Sequence, residues 1–289
     1  MIPLILSIAS STIIFVIFKL FAKFKIDTFQ AIVINYFTAA ILGFTLYGHQ
    51  WETDALNDVR WIPFALLAAF LFIGLFFIMA KSSQLNGVAS TSVAVKMSMA
   101  VSLLFMVYGY SEELSILKII GILLAFVGVF LVSSPSGKTS GPKGAAWMLL
   151  VLFLGSGILD FMLNYVQKNE LGVLTPSLFS GIGLGSAGVI GLLILSVRLA
   201  QGKEKLKLKN VIGGVLLGVP NYFSIYLLLL SYKSTGWQDS TVLAITNVSV
   251  VLVSAIIGFI AFREDSNIKK KFGLLAAILA IATLYIANR

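Results

Sequence analysis

The sequence predicts an all-α integral membrane protein with ten transmembrane helices, arranged as two inverted repeats of five helices. Three observations lead to this prediction. The chain is 58% hydrophobic and only 11% charged, whereas soluble domains have about 25% charged residues. It contains ten apolar runs of about 20 residues, the length that crosses a bilayer as a helix. Its halves also align with each other, because residues 81–127 match residues 233–279 without a gap, at a constant offset of 152.

Each apolar run predicts one helix, and short charged segments separate the runs. The first run begins at Ile2 without a basic segment before it, which favours a retained helix over a signal peptide. Trp61–Ala80, Asn210–Tyr232 and Ser240–Phe262 contain no charged side chain. The strands of a β-barrel are about 10 residues long and alternate apolar with polar residues, so these runs exclude a barrel. The predicted helices are residues 2–22, 28–47, 61–80, 89–109, 114–134, 145–166, 173–199, 210–232, 239–262 and 272–288.

The internal repeat divides the chain into residues 1–143 and residues 144–289. Its clearest match places Glu112, Ile116, Lys118 and Gly121 on Glu264, Ile268, Lys270 and Gly273. Five helices are an odd number, so the second repeat would be inserted upside down relative to the first. Inverted repeats of this kind usually enclose a substrate path and transport by alternating access.

Basic residues predict the orientation in the membrane. Fifteen Lys and Arg residues fall in the odd-numbered connections, against five in the even-numbered connections and at the C-terminus. The positive-inside rule then places the odd connections in the cytoplasm and both termini outside. This dispersal also explains the net charge of +9 without a nucleic-acid partner, and we expect a multi-pass protein of the cell (inner) membrane.

Short motifs follow the helices of both halves. The turn Ala80-Lys81-Ser82-Ser83 has its counterpart in Tyr232-Lys233-Ser234-Thr235, and acidic turns hold Glu112 and Glu264. In these motifs the chain resembles the drug/metabolite transporter (DMT) superfamily, in its ten-helix form with two EamA-type repeats. The resemblance implies a transporter that exports amino acids, aromatic metabolites, cationic drugs, nucleosides or other small solutes.

The chain departs from this family in two ways. The proline often found in the middle of the fourth and ninth helices is absent near Ser98 and Val250, so any hinge there must come from other residues. The family also commonly has both termini in the cytoplasm, which conflicts with the orientation that the loop charges predict.

Two ionisable residues lie well inside the apolar runs. Lys96 is about a third of the way along the fourth predicted helix, and Asp160 about two-thirds along the sixth. A central charge costs at least about 2.5–3.5 kcal/mol on insertion, so such residues normally face a cavity or a partner. We expect Lys96 to bind an anionic group of a substrate, and Asp160 to bind an ammonium group or carry a coupling proton. The alternatives are that the two charges neutralise each other or reach towards the nearer interface.

Polar amides and tyrosines occupy the same layer of the predicted helices. Amides can orient a polar solute, and tyrosine adds an aromatic wall and a hydroxyl group. The alternative role is hydrogen bonding between helices. Pro220 can kink the eighth predicted helix and free a carbonyl group at mid-membrane. Together with Lys96 and Asp160, the predicted substrate-binding residues are Asn35, Tyr36, Asn164, Asn221, Tyr222 and Asn247.

The acidic turns predict helix caps. A carboxylate at the start of a helix accepts hydrogen bonds from unpaired N–H groups, so we expect Glu112 and Glu264 to cap the fifth and tenth helices. Glycines such as Gly157 lie inside apolar helices, which favours close helix packing over a phosphate-binding loop.

The sequence therefore predicts a secondary transporter, most readily an exporter of amino acids or related amphiphilic metabolites, with a proton as the candidate coupling ion. The alternatives are a carrier for organic anions or phosphorylated metabolites and, in another class, a membrane scaffold or receptor. We expect no enzymatic activity, cofactor or metal, because the chain has no Cys, one His and no phosphate-binding loop. Its partners would be a small solute and membrane lipid, and it would act as a monomer or a homodimer.

Overall fold

The computed structural model describes residues 1–47, 60, 62–110, 115–133, 145–169, 176–202, 205–235, 239–264 and 267–287. Helices account for nearly all of these residues. In chain order they are α1 (Ile2–Lys23), α2 (Thr28–Tyr47), α3 (Ile62–Leu85), α4 (Val88–Met97), α5 (Met99–Tyr110), α6 (Ile116–Ser133), α7 (Ala146–Asn169), α8 (Pro176–Ala200), α9 (Leu208–Ser234), α10 (Asp239–Ile260) and α11 (Ile268–Ala287).

The helices have the lengths that a bilayer requires. Within the described ranges, six are long and apolar enough to cross a membrane, and four shorter apolar helices stand where the other four runs were predicted. Large apolar side chains such as Phe130 and Ile260 point outward and are about three-quarters exposed, at 74% and 76%. Lipid rather than water is the solvent that suits these surfaces. The prediction of an all-α membrane fold with ten spans is confirmed.

The fourth span differs from its prediction. We predicted one helix over residues 89–109, whereas the structure has α4 and α5, separated at Ser98. The other nine predicted runs each correspond to one helix, with ends that differ by a few residues. The sequence contains no proline or glycine near Ser98 that signals this interruption.

The chain forms two compact units. The first comprises Met1–Leu20, Ile78–Phe161 and Ser224–Arg289. In it, α6 and α11 pack through glycines. A Cβ atom on Gly273 would lie 2.9 Å from the carbonyl oxygen of Gly128, and one on Gly128 would lie 3.1 Å from the backbone nitrogen of Ala277. These glycines therefore let the two backbones touch.

The second unit comprises Phe21–Phe77 and Met162–Phe223. Here α9 packs against α2 through two glycines one turn apart. A Cβ atom on Gly214 would lie 2.6 Å from the Ala31 carbonyl oxygen, and one on Gly218 would lie 2.8 Å from that of Asn35. Both units combine segments from the two predicted repeats, so the division of the chain into residues 1–143 and 144–289 stays a prediction.

Two equivalent polar residues cap α6 and α11. Ser115 Oγ accepts a hydrogen bond from the backbone N–H of Lys118 at 3.2 Å, and Asn267 Oδ1 accepts one from that of Lys270 at 2.8 Å. Ser115 and Asn267 are 152 residues apart, the offset of the internal repeat. The two helices therefore begin in the same way, as the sequence alignment implies.

Our prediction for the cap of α11 was wrong. The carboxylate of Glu264 accepts hydrogen bonds from the backbone N–H groups of Val88 and Ala89, at the start of α4. Asn267 stands one residue before α11 and occupies the capping position instead. Glu112, the other predicted cap, lies outside the described residues.

Removing the Asn267 cap should destabilise the protein modestly. We expect Asn267→Ala to lower the free energy of unfolding by about 1 kcal/mol, because an orphan N–H group at the start of α11 loses its acceptor. Asn267→Ser, which keeps a good capping residue, is the control. Titration with SDS in mixed micelles measures both, and equal losses in the two variants would contradict the assignment of the cap.

Candidate functional site

The division between α4 and α5 is local to Ser98, within an apolar helical stretch that runs from Val88 to Ser102. The Ser98 backbone stays in the right-handed helical region, with φ −54° and ψ −22°. The Ser98 hydroxyl lies 2.6 Å from the carbonyl oxygen of Val95, and the Ser98 carbonyl oxygen accepts from the N–H groups of both Val101 and Ser102. A serine that hydrogen-bonds back to its own helix in this way disturbs the regular ladder and often bends the helix.

Helix α7 packs directly against this interruption. A Cβ atom on Gly157 would lie 2.7 Å from the Ser98 carbonyl oxygen and 2.5 Å from Val101 Cβ. This contact confirms the packing role predicted for Gly157. One turn along α7, Asp160 Oδ2 lies 3.2 Å from the Ser98 hydroxyl group. The single hydroxyl proton is thus shared between the Val95 carbonyl oxygen and the Asp160 carboxylate.

Opposite charges flank the interruption. Lys96 lies two residues before Ser98 and is half-buried, whereas the side chain of Asp160 is exposed. The two charged groups interact electrostatically. A charged side chain that is exposed within a membrane span faces water or a polar partner at much lower cost than lipid.

Helix α10 contributes an amide to the same place. Asn247 is buried, and its Nδ2 atom lies 3.6 Å from the sulfur of Met99, the first residue of α5. We refer to Lys96, Ser98, Met99, Asp160 and Asn247 together as the Ser98 site. Three of its members were predicted from the sequence. Ser98 and Met99 were not predicted as site residues, and the only signal near them was the missing proline.

The five other predicted residues lie in the second unit. Tyr36 is fully buried, and its hydroxyl group donates to the Phe72 carbonyl oxygen at 2.6 Å. Asn35 is also fully buried, and no described group donates to its Oδ1 atom. Tyr36 therefore packs α2 against α3, whereas Asn35 Oδ1 can still accept a hydrogen bond.

Asn221 and Tyr222 are buried on α9. This helix continues through Pro220 from Leu208 to Ser234, and the kink at Pro220 stays a prediction. The last predicted residue, Asn164, belongs to α7, but its side chain is outside the described part of the structure.

Comparisons with known proteins agree with this architecture. The model of the EamA-like transporter family matches residues 1–134. An uncharacterized protein of Haemophilus influenzae is 28% identical over 293 residues, which cover 99% of this chain and 98% of that protein. A protein crystal structure with 12% identity superimposes with a TM-score of 0.59, covering 97% of this chain and 96% of that one, which supports the fold alone. Residues 1–134 are thus similar to the EamA-like transporter family, and the apolar helices of the described residues are those of a multi-pass membrane protein.

Proposed function

We propose that the protein exports amino acids or closely related zwitterions by alternating access, and that the Ser98 site binds the solute. The observation that supports this proposal is the presence of one cation, Lys96 on α4, and one carboxylate, Asp160 on the neighbouring helix α7, close to Ser98 inside the membrane spans. Transporters built from inverted repeats commonly place substrate sites near the bilayer midplane, where polar groups of several helices meet. The site thus combines the usual location with groups of both charges.

The two charges fit the two ends of a zwitterion. In this proposal the Lys96 ammonium group binds the carboxylate of the solute. The exposed carboxylate of Asp160 binds its ammonium group, while the Ser98 hydroxyl fixes the position of that carboxylate at 3.2 Å. Because each charge has a partner in the loaded site, the desolvation cost of binding is partly offset by close electrostatic contacts.

Uncharged groups complete the proposed site. The Asn247 amide is held beside Met99, and a methionine side chain adapts its shape to different apolar surfaces. Asn35, Asn164, Asn221 and Tyr222 stay predictions as solute-binding residues, outside the Ser98 site. Tyr36 has its hydroxyl group occupied by the Phe72 carbonyl, so we assign it to positioning helices rather than to the solute.

The driving force is either a proton gradient or the gradient of the solute itself. Asp160 is the proposed proton carrier, because it is a carboxyl group inside a membrane span and next to the solute. The Ser98 hydroxyl also favours one alternative. The hydrogen bond from the Ser98 hydroxyl could occupy Asp160 in holding α7 against Ser98. Lys96 would then be the only charged group that binds the solute, and an organic anion would be the better substrate.

Counterflow in liposomes tests the proposal. We expect the purified protein to exchange a labelled mixture of amino acids, Lys96→Met to abolish the exchange, and Lys96→Arg to retain part of it. Lys269→Met is the matched control, because Lys269 is exposed in the first turn of α11. An imposed pH gradient that leaves the rate unchanged would contradict proton coupling. Exchange of organic anions but of no amino acid would favour the alternative.

A further inference from the structure

Glu264 joins the turn after α10 to a helix in the other half of the sequence. Its side chain is 8% exposed. One carboxylate oxygen accepts from the Val88 N–H at 2.7 Å, and the other accepts from the Ala89 N–H at 3.3 Å. These are the first two residues of α4, where N–H groups have no partner within the helix. The contact therefore supplies acceptors for the unpaired N–H groups at the start of α4, the helix that contains Lys96 and ends before Ser98.

A lysine ties two further segments to this carboxylate. Lys19 Nζ lies 3.5 Å from Glu264 Oε1 and donates to the Gln84 carbonyl oxygen at 3.3 Å. Lys19 is near the end of α1, and Gln84 is near the end of α3. All of these groups belong to odd-numbered connections or border them, so they lie at one face of the membrane. The loop charges predict that this face is the cytoplasmic one.

The carboxylate occupies a space left by two glycines. A Cβ atom on Gly87 would lie 2.5 Å from Glu264, and one on Gly258 would lie 2.6 Å from it. Gly87 also has φ +97°, a backbone conformation that other residues rarely adopt. A small cavity adjoins the carboxylate and is lined by Ala89, Ser90 and Lys270, among others. The Glu264 carboxylate is therefore packed tightly against Gly87 and Gly258, and the cavity leaves free space on its other side.

We propose that Glu264 is a latch that positions α4 and must release it for the transporter to open at this face. Lys96 lies eight residues after Val88, or about 12 Å along the helix axis, so movement of the α4 N-terminus is transmitted to the Ser98 site. The carboxylate is well suited to this role, because its hydrogen bonds are to backbone groups that water can satisfy once the contact opens. The inference rests on the proposed function for its purpose, but the latch itself can be tested without a substrate.

The chain has no cysteine, so single cysteines report on the latch cleanly. Ser90→Cys places a thiol beside the cavity, where the native residue is buried. We expect Glu264→Gln to raise its rate of labelling by a membrane-impermeant maleimide in nanodiscs by about tenfold, the order expected from losing a charge-assisted hydrogen bond. Lys19→Met should act in the same direction. Ser254→Cys, at a fully buried position on α10, is the control and should not change.

A disulfide can replace the latch covalently. The Cβ atom of Ala89 lies 3.5 Å from a Cβ atom built on Gly258, within the range that a disulfide spans. In the variant Ala89→Cys, Gly258→Cys, Glu264→Ala, removal of the carboxylate also frees the space for the second cysteine. We expect the oxidised variant to be inactive in counterflow and a reducing agent to restore exchange.

The outcomes separate the latch from the proposed substrate. If Glu264→Gln leaves the labelling of Ser90→Cys unchanged, or raises that of Ser254→Cys equally, the latch is overturned, whatever the solute. If the oxidised disulfide variant transports as fast as the reduced one, α4 need not leave the turn and the proposal also fails. Selective labelling of Ser90→Cys in a protein that exchanges no amino acid supports the latch and rejects only the proposed substrate.

Discussion

Gly214→Ala is expected to lower the free energy of unfolding by about 1–3 kcal/mol, the usual cost of overfilling a packed interface. Alanine is the better helix former, so the loss must come from packing alone. The added Cβ atom would lie 2.5 Å from Ile34 Cβ and 2.6 Å from the Ala31 carbonyl oxygen. Neither atom belongs to the flexible end of a side chain, so α9 has to move away from α2. Gly218→Ala, one turn later, should have a similar effect.

Gly74→Ala is the matched control for this interface. Gly74 is inside α3, and a Cβ atom there meets nothing within 4 Å. We expect this variant to gain up to about 1 kcal/mol, because alanine has the higher helix propensity. Unfolding in mixed micelles measures the three variants together. A gain at Gly214 as well as at Gly74 would show that α2 and α9 are less closely packed than described.

Lys96→Met should destabilise the protein by up to about 1 kcal/mol, the range of a screened pair of opposite charges, because it removes the cation that interacts with Asp160. Asp160→Asn should have a comparable effect by removing the carboxylate that interacts with Lys96. The double variant removes both charges, so we expect it to be more stable than the sum of the two losses predicts. A coupling of up to about 1 kcal/mol is expected for a pair of opposite charges that is screened and not in direct contact.

A second double-mutant cycle tests whether removing any lysine changes the free energy of unfolding in the same way. It combines Asp160→Asn with Lys269→Met, which removes a lysine exposed at the start of α11, and its two effects should add. Transport should be lost in every variant that lacks Lys96, including the stable double variant. Full transport by that double variant would remove the Ser98 site from the mechanism, because solute would then be transported without either of the site's charges.

The spans and their order could be predicted because each one is encoded locally. About 20 apolar residues in a row specify a membrane helix wherever it lies in the fold. The same is true of Lys96 and Asp160, since a charge inside such a run is conspicuous. The sequence offered no comparable signal for Ser98, because a serine in a helix usually leaves it intact. Only the position of Gly157 and Asp160 on a neighbouring helix shows why this serine matters.

The cap made by Glu264 shows the other limit. Its position just before α11 is typical of a residue that caps the helix following it, and the prediction used that local pattern. Its actual partners, Val88 and Ala89, precede it by 176 and 175 residues. A pattern of neighbouring residues carries no information on contacts at that separation. The internal repeat relates residues 152 positions apart, but these are equivalent positions in the two halves and not residues in contact.

The packing of α6 against α11 has a consequence for the origin of the protein. The two helices begin at equivalent caps, Ser115 and Asn267, and they touch each other through Gly128 and Gly273. On the predicted origin by duplication, a half-length ancestor would hold only one such helix, and its glycine surface would need a second copy of the same chain as its partner.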